Sequence, residues 1–195
     1  MGREFSRRQT LQEWRLSPSK EHRLPNKKKT TKSSQGARIA DQLQRAFYGA
    51  AWHGPALMEL LEDVNAATAA AKPLPDIHSI WELLLHIAAW DGAGLKRLSG
   101  HKCQLKAEKN FPPVPAPTEA AWREAVGAAK HTHEELVRSV AGLSEKRLRE
   151  IVPGKRYDFY HMFHGIAQHE LYHAGQIAIL KKAGSSGAAR SSLKV

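Results

Sequence analysis

Cysteine is nearly absent from this chain: Cys103 is alone among 195 residues. An intramolecular disulfide is therefore excluded, and a reducing compartment fits. Long apolar runs are also missing. Nothing approaches the ~18 residues of a membrane span, and the opening residues hold no apolar stretch of the kind that starts a secretory leader. The expected location is the cytoplasm, with no membrane partner. No segment sustains the apolar–polar alternation of a half-buried strand, which argues against a sheet. Acidic residues stop early, since Leu171 to Val195 contains neither Asp nor Glu. That last absence decides how the most informative motif is read.

Charge is unevenly placed. The formal net charge is +11, and residues 1–36 carry ten Lys/Arg against three Glu. The high isoelectric point thus belongs mostly to that stretch, which weakens a nucleic-acid-binding reading of the whole protein. Asn26 to Gly36 in particular buries too little surface to offset its ordering entropy. We read residues 1–36 as a disordered basic tail, either a solvated extension or an over-long start. Within it Lys27–Lys32 is the part suited to nucleic acid or an anionic surface, and Leu11, Trp14 and Leu16 suit a short transient helix. Residues 37–184 form the expected helical domain, and 185–195 a flexible C-terminal tail. Cys103 lies in a polar loop and reads as incidental.

Inside the domain the apolar residues recur at helical spacing. Ile39, Leu43, Ala46, Phe47 and Ala50 mark a first amphipathic segment, interrupted by Gly49 and Gly54-Pro55. Pro55 suits the first turn of a helix running to about Ala70, with Leu57, Leu60, Leu61 and Val64 buried. Ser79 and Glu82 form a capping box for a helix with Ile80, Leu83, Leu84, Ile87 and Trp90 inward. A loop with Pro112, Pro113, Pro115 and Pro117 follows. Thr118 caps the next helix, whose inner face carries Ala121, Trp122, Ala125, Ala129, Leu136 and Val140. A last long helix spans about Asp158 to Ala183. The expected fold is all-α, an antiparallel bundle of four substantial helices with an extra N-terminal segment.

The last helix contains His169-Glu170-Leu171-Tyr172-His173, which is His-Glu-x-x-His, the zinc-protease signature. A protease needs a third ligand downstream. The metzincin form demands Gly at position 176 and His at 179, where this chain has Gln176 and Ile179. The carboxylate form demands a later acidic residue, and none follows. The protease reading fails, and any third partner must lie upstream. At about 100° per residue, Phe163, Ile166, His173, Ile177 and Leu180 form one stripe, with His169 about 40° from it. Both imidazoles then point inward, where each needs hydrogen bonds or a metal. His86, on the shoulder of its own apolar stripe, is the third candidate. Three imidazoles suit Zn²⁺ or Ni²⁺ with positions left for water or substrate.

Three stretches go beyond spacing: Ala51 to Leu57, His78 to Trp90, and His164 to Ala178, which ends in His-x-x-x-His-Ala-Gly-Gln-Ile-Ala. Together, over about residues 38–183, they resemble the DinB family. The resemblance implies a four-helix bundle of the DinB/YfiT-like type, commonly a homodimer, with a metal held by His86, His169 and His173. It also implies, in some branches, metal-dependent transferases or isomerases that use low-molecular-weight thiols, and some hydrolase-like members. The shared logic is a Lewis-acid metal that makes a nucleophile from a thiol or water at neutral pH. The expected activity is thus metal-dependent, with thiol S-transfer on a small-molecule substrate as the reaction. The alternative is a non-catalytic metal-binding or stress-response bundle, and nucleic-acid binding through the tail is a third reading. Glu170 is the candidate base, unless it pairs with a Lys or Arg. Tyr172 and Gln176 are expected to hold the ligands from behind. His53 and His78 are expected at the pocket mouth, with His53 equally suited to capping a helix end. His161 and His164 are expected on other faces, and Gly175 at a close helix contact.

Overall fold

Short polar side chains decide where the helices start. Ser34, Asn65, Ser79, Thr118 and Ser144 each accept a hydrogen bond from the backbone N–H three residues on, satisfying donors that a helix N-terminus leaves orphaned. Glu82 completes the capping box by accepting from the Ser79 N–H at 2.7 Å. The computed structural model describes the backbone of residues 33–192 and the side chains of residues 33–184. The basic stretch through Lys32, including Leu11, Trp14 and Lys27–Lys32, lies outside the described residues.

The helices are α1 (Gln35–Tyr48), α2 (Leu57–Leu61), α3 (Ala66–Ala70), α4 (Ile80–Leu98), α5 (Ala107–Asn110), α6 (Glu119–Ala141), α7 (Glu145–Leu148) and α8 (Phe159–Ser192). Among the described residues there is no sheet, only an isolated antiparallel bridge between Ile151 and Asp158. The fold is all-α. The four long helices close into a ring, with α4 packed on α6 and α8, and α1 packed on the same two. No helix among the described residues is long and apolar enough to cross a membrane.

Local boundaries differ from expectation at three places. α1 already starts at Gln35, inside the stretch read as tail, and α8 runs to Ser192 rather than ending near Ala183. The single helix expected from Pro55 to about Ala70 is two short ones. The break has a tertiary cause. The Val64 carbonyl accepts the Trp122 indole N–H at 2.7 Å, and the Ala66 N–H donates to Glu119 at 2.9 Å. Asn65 then caps α3 by accepting from Thr68 N–H at 2.8 Å. A continuous helix would spend these groups on itself.

The core has two apolar halves. Phe47, Leu57, Trp81, Leu84, Ile87, Trp122, Ala129 and Ile177 belong to one; Ile39, Leu43, Leu136, Val140, Phe163 and Ile166 belong to the other. Each large side chain removed from water contributes about 1.5–3 kcal/mol before entropy is counted. Between the halves lies a polar layer. Asp91 on α4, His133 on α6 and Glu170 on α8 are each fully buried. Along α6 and α8 the polar residue falls between members of one half and members of the other.

Close packing at a glycine occurs in α1, not at Gly175. A Cβ on Gly36 would lie 2.6 Å from the Val140 carbonyl oxygen and 2.8 Å from that of Leu143, both backbone atoms, whereas one on Gly175 meets nothing within 4 Å. Gly36→Ala should therefore destabilise the protein by about 1–3 kcal/mol in denaturant titrations. Gly175→Ala should leave it unchanged or stabilise it by up to ~1 kcal/mol; equal effects at the two sites would contradict this packing.

Candidate metal centre

His169 and His173 are one turn apart on α8, and His86 faces them from α4. His86 Nε2 is 2.9 Å from His169 Nε2, and His169 Nε2 is 3.1 Å from His173 Nε2. His86 and His173 are buried, and His169 is partly exposed. The structure thus brings the three imidazoles named from sequence to one point.

The far nitrogens show which way two of the rings are poised. His86 Nδ1 lies 2.6 Å from the Asn110 carbonyl oxygen, and His173 Nδ1 lies 2.7 Å from Gln176 Oε1. Both partners accept, so each Nδ1 carries the proton and each Nε2 presents a lone pair. A proton on His169 Nε2 would leave one lone-pair donor poorly served, because it sits between two. A divalent ion satisfies all three at once. Tetrahedral Zn²⁺–N bonds of about 2.0–2.1 Å place neighbouring nitrogens about 3.3 Å apart, close to the spacing here. The donor set therefore fits a metal, and the oxygen partners behind His86 and His173 are what ligating imidazoles require, whereas the buried His169 Nδ1 has none.

Electrostatics agree. Burial, followed by the neighbouring His173 and His86, pushes the His169 imidazolium down to about 3. Burial also lowers His86 against the pull of the Asn110 carbonyl, and lowers His173 against that of Gln176. Neutral imidazoles keep their lone pairs free for a metal at neutral pH.

The surroundings come from the Pro-rich connection after α4. Phe111 stacks on His86 with centroids 4.1 Å apart, and on His78 at 3.7 Å. Asn110 serves twice, because its side-chain oxygen also accepts the Trp90 indole N–H at 3.0 Å. A cavity of about 250 Å³ opens beside His169, walled by Trp90, Arg97, His161, Met162 and Ile166. The Arg97 guanidinium is held there by two donations to the Cys103 carbonyl, at 3.0 and 2.8 Å. A larger groove of about 630 Å³, between the α2–α3 turn and α6, contains no imidazole or thiol.

A family model, the DinB superfamily, matches residues 50–177. The chain belongs to the DinB superfamily. No curated protein and no solved structure matches it. The match covers α2 to most of α8, and so takes in all three imidazoles of this DinB chain.

Other expected residues lie elsewhere. Glu170 does not pair with Lys or Arg, nor does it face the three imidazoles. Its Oε1 is 3.1 Å from His133 Nδ1, which also contacts Asp91 Oδ2 at 3.0 Å. Burial, then the nearby Asp91 carboxylate, pushes Glu170 up to about 8. Burial works against the His133 imidazolium, yet its contacts with Asp91 and Glu170 raise it to about 9. Gln176 holds His173 from behind, but Tyr172 is 65% exposed and touches His173 only edge-on. His53 is exposed beside Trp52, away from the imidazoles. His78 stands over Phe111 near the triad, His161 lines the cavity, and His164 meets the Tyr160 ring edge-on.

Asp91, His133, Asn110 and Phe111 were not singled out from sequence. For two of them a signal existed. His133 sits at helical spacing among Ala129, Leu136 and Val140, and Asp91 continues the series Leu84, Ile87. A polar residue in a core stripe is the warning sign. Asn110 acts through its backbone carbonyl and offers no such sign.

Gln176→Ala should weaken metal binding by about 10–100-fold in competition titrations with a chromophoric chelator; unchanged affinity would mean that Gln176 does not orient His173. In the metal-free protein the His169 ring signal should stay flat in NMR between about pH 5 and 8. An ordinary imidazole titration there would contradict its burial.

Proposed function

We propose that this DinB chain is a metal-dependent enzyme in which His86, His169 and His173 hold a divalent ion, Zn²⁺ or Ni²⁺. Its substrates would be small, with a low-molecular-weight thiol, or water, as the nucleophile and S-transfer as the favoured reaction. The observation that supports it is the convergence of three Nε2 atoms beside a cavity of about 250 Å³. A purely structural ion is closed in on all sides. Here one of the three candidate ligands, His169, lines open space.

When bound, the ion supplies Lewis-acid chemistry, lowering the pKa of a thiol or water so that a nucleophile exists at neutral pH. The chain's own groups do the rest. The Asn110 carbonyl and Gln176 hold His86 and His173 in the ligating tautomer. Phe111 shields the His86 ring from water. Trp90, Met162 and Ile166 give the cavity apolar walls, which favour an apolar substrate body and keep competing water out. Arg97, fixed by Cys103, places a positive charge on that wall and favours an electron-rich end. Glu170, turned toward His133, takes no part as a base in this scheme.

The test is a panel of small thiols paired with electrophiles, together with simple hydrolysable substrates, assayed on metal-loaded protein. His86→Ala, His169→Ala and His173→Ala should each lose stoichiometric metal. Each should also lower kcat/KM by more than about a hundredfold, the equivalent of several kcal/mol of charge stabilisation. Turnover of water but not thiol would remove S-transfer from the proposal. Metal retained by all three variants would end it. A chelator that lowers Tm sharply, with no turnover of any pair, would instead identify a non-catalytic metal-binding bundle.

A further inference from the structure

The polar layer in the core is chemically unfinished. Asp91, His133 and Glu170 are all at 0% exposure. Asp91 Oδ2 and Glu170 Oε1 both converge on His133 Nδ1, at 3.0 and 3.1 Å. Only the Asp91 contact has hydrogen-bond alignment, so Asp91 Oδ1 and both Glu170 oxygens lack a hydrogen-bond partner. Glu170 Oε1 keeps its ion pair with His133. Asp91 Oδ1, Glu170 Oε2 and the ring's own Nε2 have no hydrogen-bond partner, at a cost of several kcal/mol inside an apolar core.

We propose that Asp91, His133 and Glu170 form a second metal site, a buried structural site for a divalent cation such as Zn²⁺, separate from the three imidazoles. One ligand atom from each residue lies within 4.8 Å of the others. Two carboxylates balance the charge of a dication, and a neutral imidazole completes a mixed N/O set suited to zinc. The separations of 3.0 and 3.1 Å are near the ~3.3 Å edge of a tetrahedral zinc site. The ring of His133 is already locked, since Phe47 from α1 stacks on it with centroids 3.9 Å apart and planes 11° from parallel. The ion would bind α4, α6 and α8 together, with α1 closing the site. It would also stand behind the first site, because Asp91 follows Trp90 in sequence and Glu170 follows His169. No ligand atom reaches solvent, so the ion must be enclosed as the chain folds and released only as it unfolds.

The test uses the full chain carrying His86→Ala and His173→Ala, which removes two imidazoles and leaves the core layer intact. Refolded with Zn²⁺ and dialysed against EDTA, it should keep about one zinc per chain and release it on unfolding in guanidinium. X-ray absorption of that zinc should show a shell of oxygens with a single imidazole. Retention of no zinc, or a shell of several imidazoles, would overturn the proposal and leave the layer as a proton-sharing cluster. In the same background Asp91→Asn should abolish retention while circular dichroism reports an intact helical fold; zinc kept by the folded variant would equally overturn it. The first site is judged separately, by the zinc that EDTA removes from the unsubstituted chain. If the His86→Ala, His173→Ala chain binds as much of that zinc as the unsubstituted one, the three-imidazole reading fails and the core proposal stands on its own result.

Discussion

A charged layer crossing an apolar core constrains this molecule more than any other feature. Asp91, His133 and Glu170 come from three of the four long helices and are removed from water together. The apolar halves on either side can slide or rotate at modest cost, because dispersion and burial are non-directional. The polar layer cannot. Any shift of α4, α6 or α8 would part His133 from its two carboxylates and leave buried charge uncompensated. The layer therefore fixes the helix register, and Phe47 extends that control to α1 by stacking on His133.

That register also sets the geometry of the three imidazoles. Glu170 and His169 are neighbours on α8, as are Asp91 and Trp90 on α4. When the layer aligns α4 with α8, it carries His86 opposite His169 and His173 and places Trp90 beside the cavity. The two buried groups are electrostatic opposites. Around the triad, burial and mutual repulsion keep the imidazoles neutral and their lone pairs directed inward. In the layer, contacts with Asp91 and Glu170 raise the His133 imidazole to about 9. One helix thus presents a neutral, electron-donating set and an acidic set on adjacent residues.

Much of this was legible in the sequence, and the failures have physical causes. The caps at Ser79 and Thr118 are local hydrogen bonds, so local sequence reveals them. The inward aspect of His169 and His173 follows from helical period, as does the position of His86 near an apolar stripe. The helix expected at 55–70 failed because Trp122 and Glu119, more than fifty residues away, take the backbone groups it would need. Glu170 was read as a candidate base because it is next to His169 in sequence. On a helix, neighbours in sequence point about 100° apart, so adjacency there separates functions rather than joining them. Gly175 looked like a packing glycine but faces open space.

The sequence by itself determined the all-α class, the faces on which the histidines lie, the exclusion of a downstream protease ligand, and the family stretches around His86, His169 and His173. Each of these depends on a period, a cap or a motif contained within one segment. Only the tertiary structure decided that the three Nε2 atoms meet, that the Asn110 carbonyl and Gln176 orient two of them, and that Asp91 and His133 meet Glu170. Those pairings are made across helices. They depend on how α4, α6 and α8 rotate and slide against one another, and that register is settled only when the whole core packs at once.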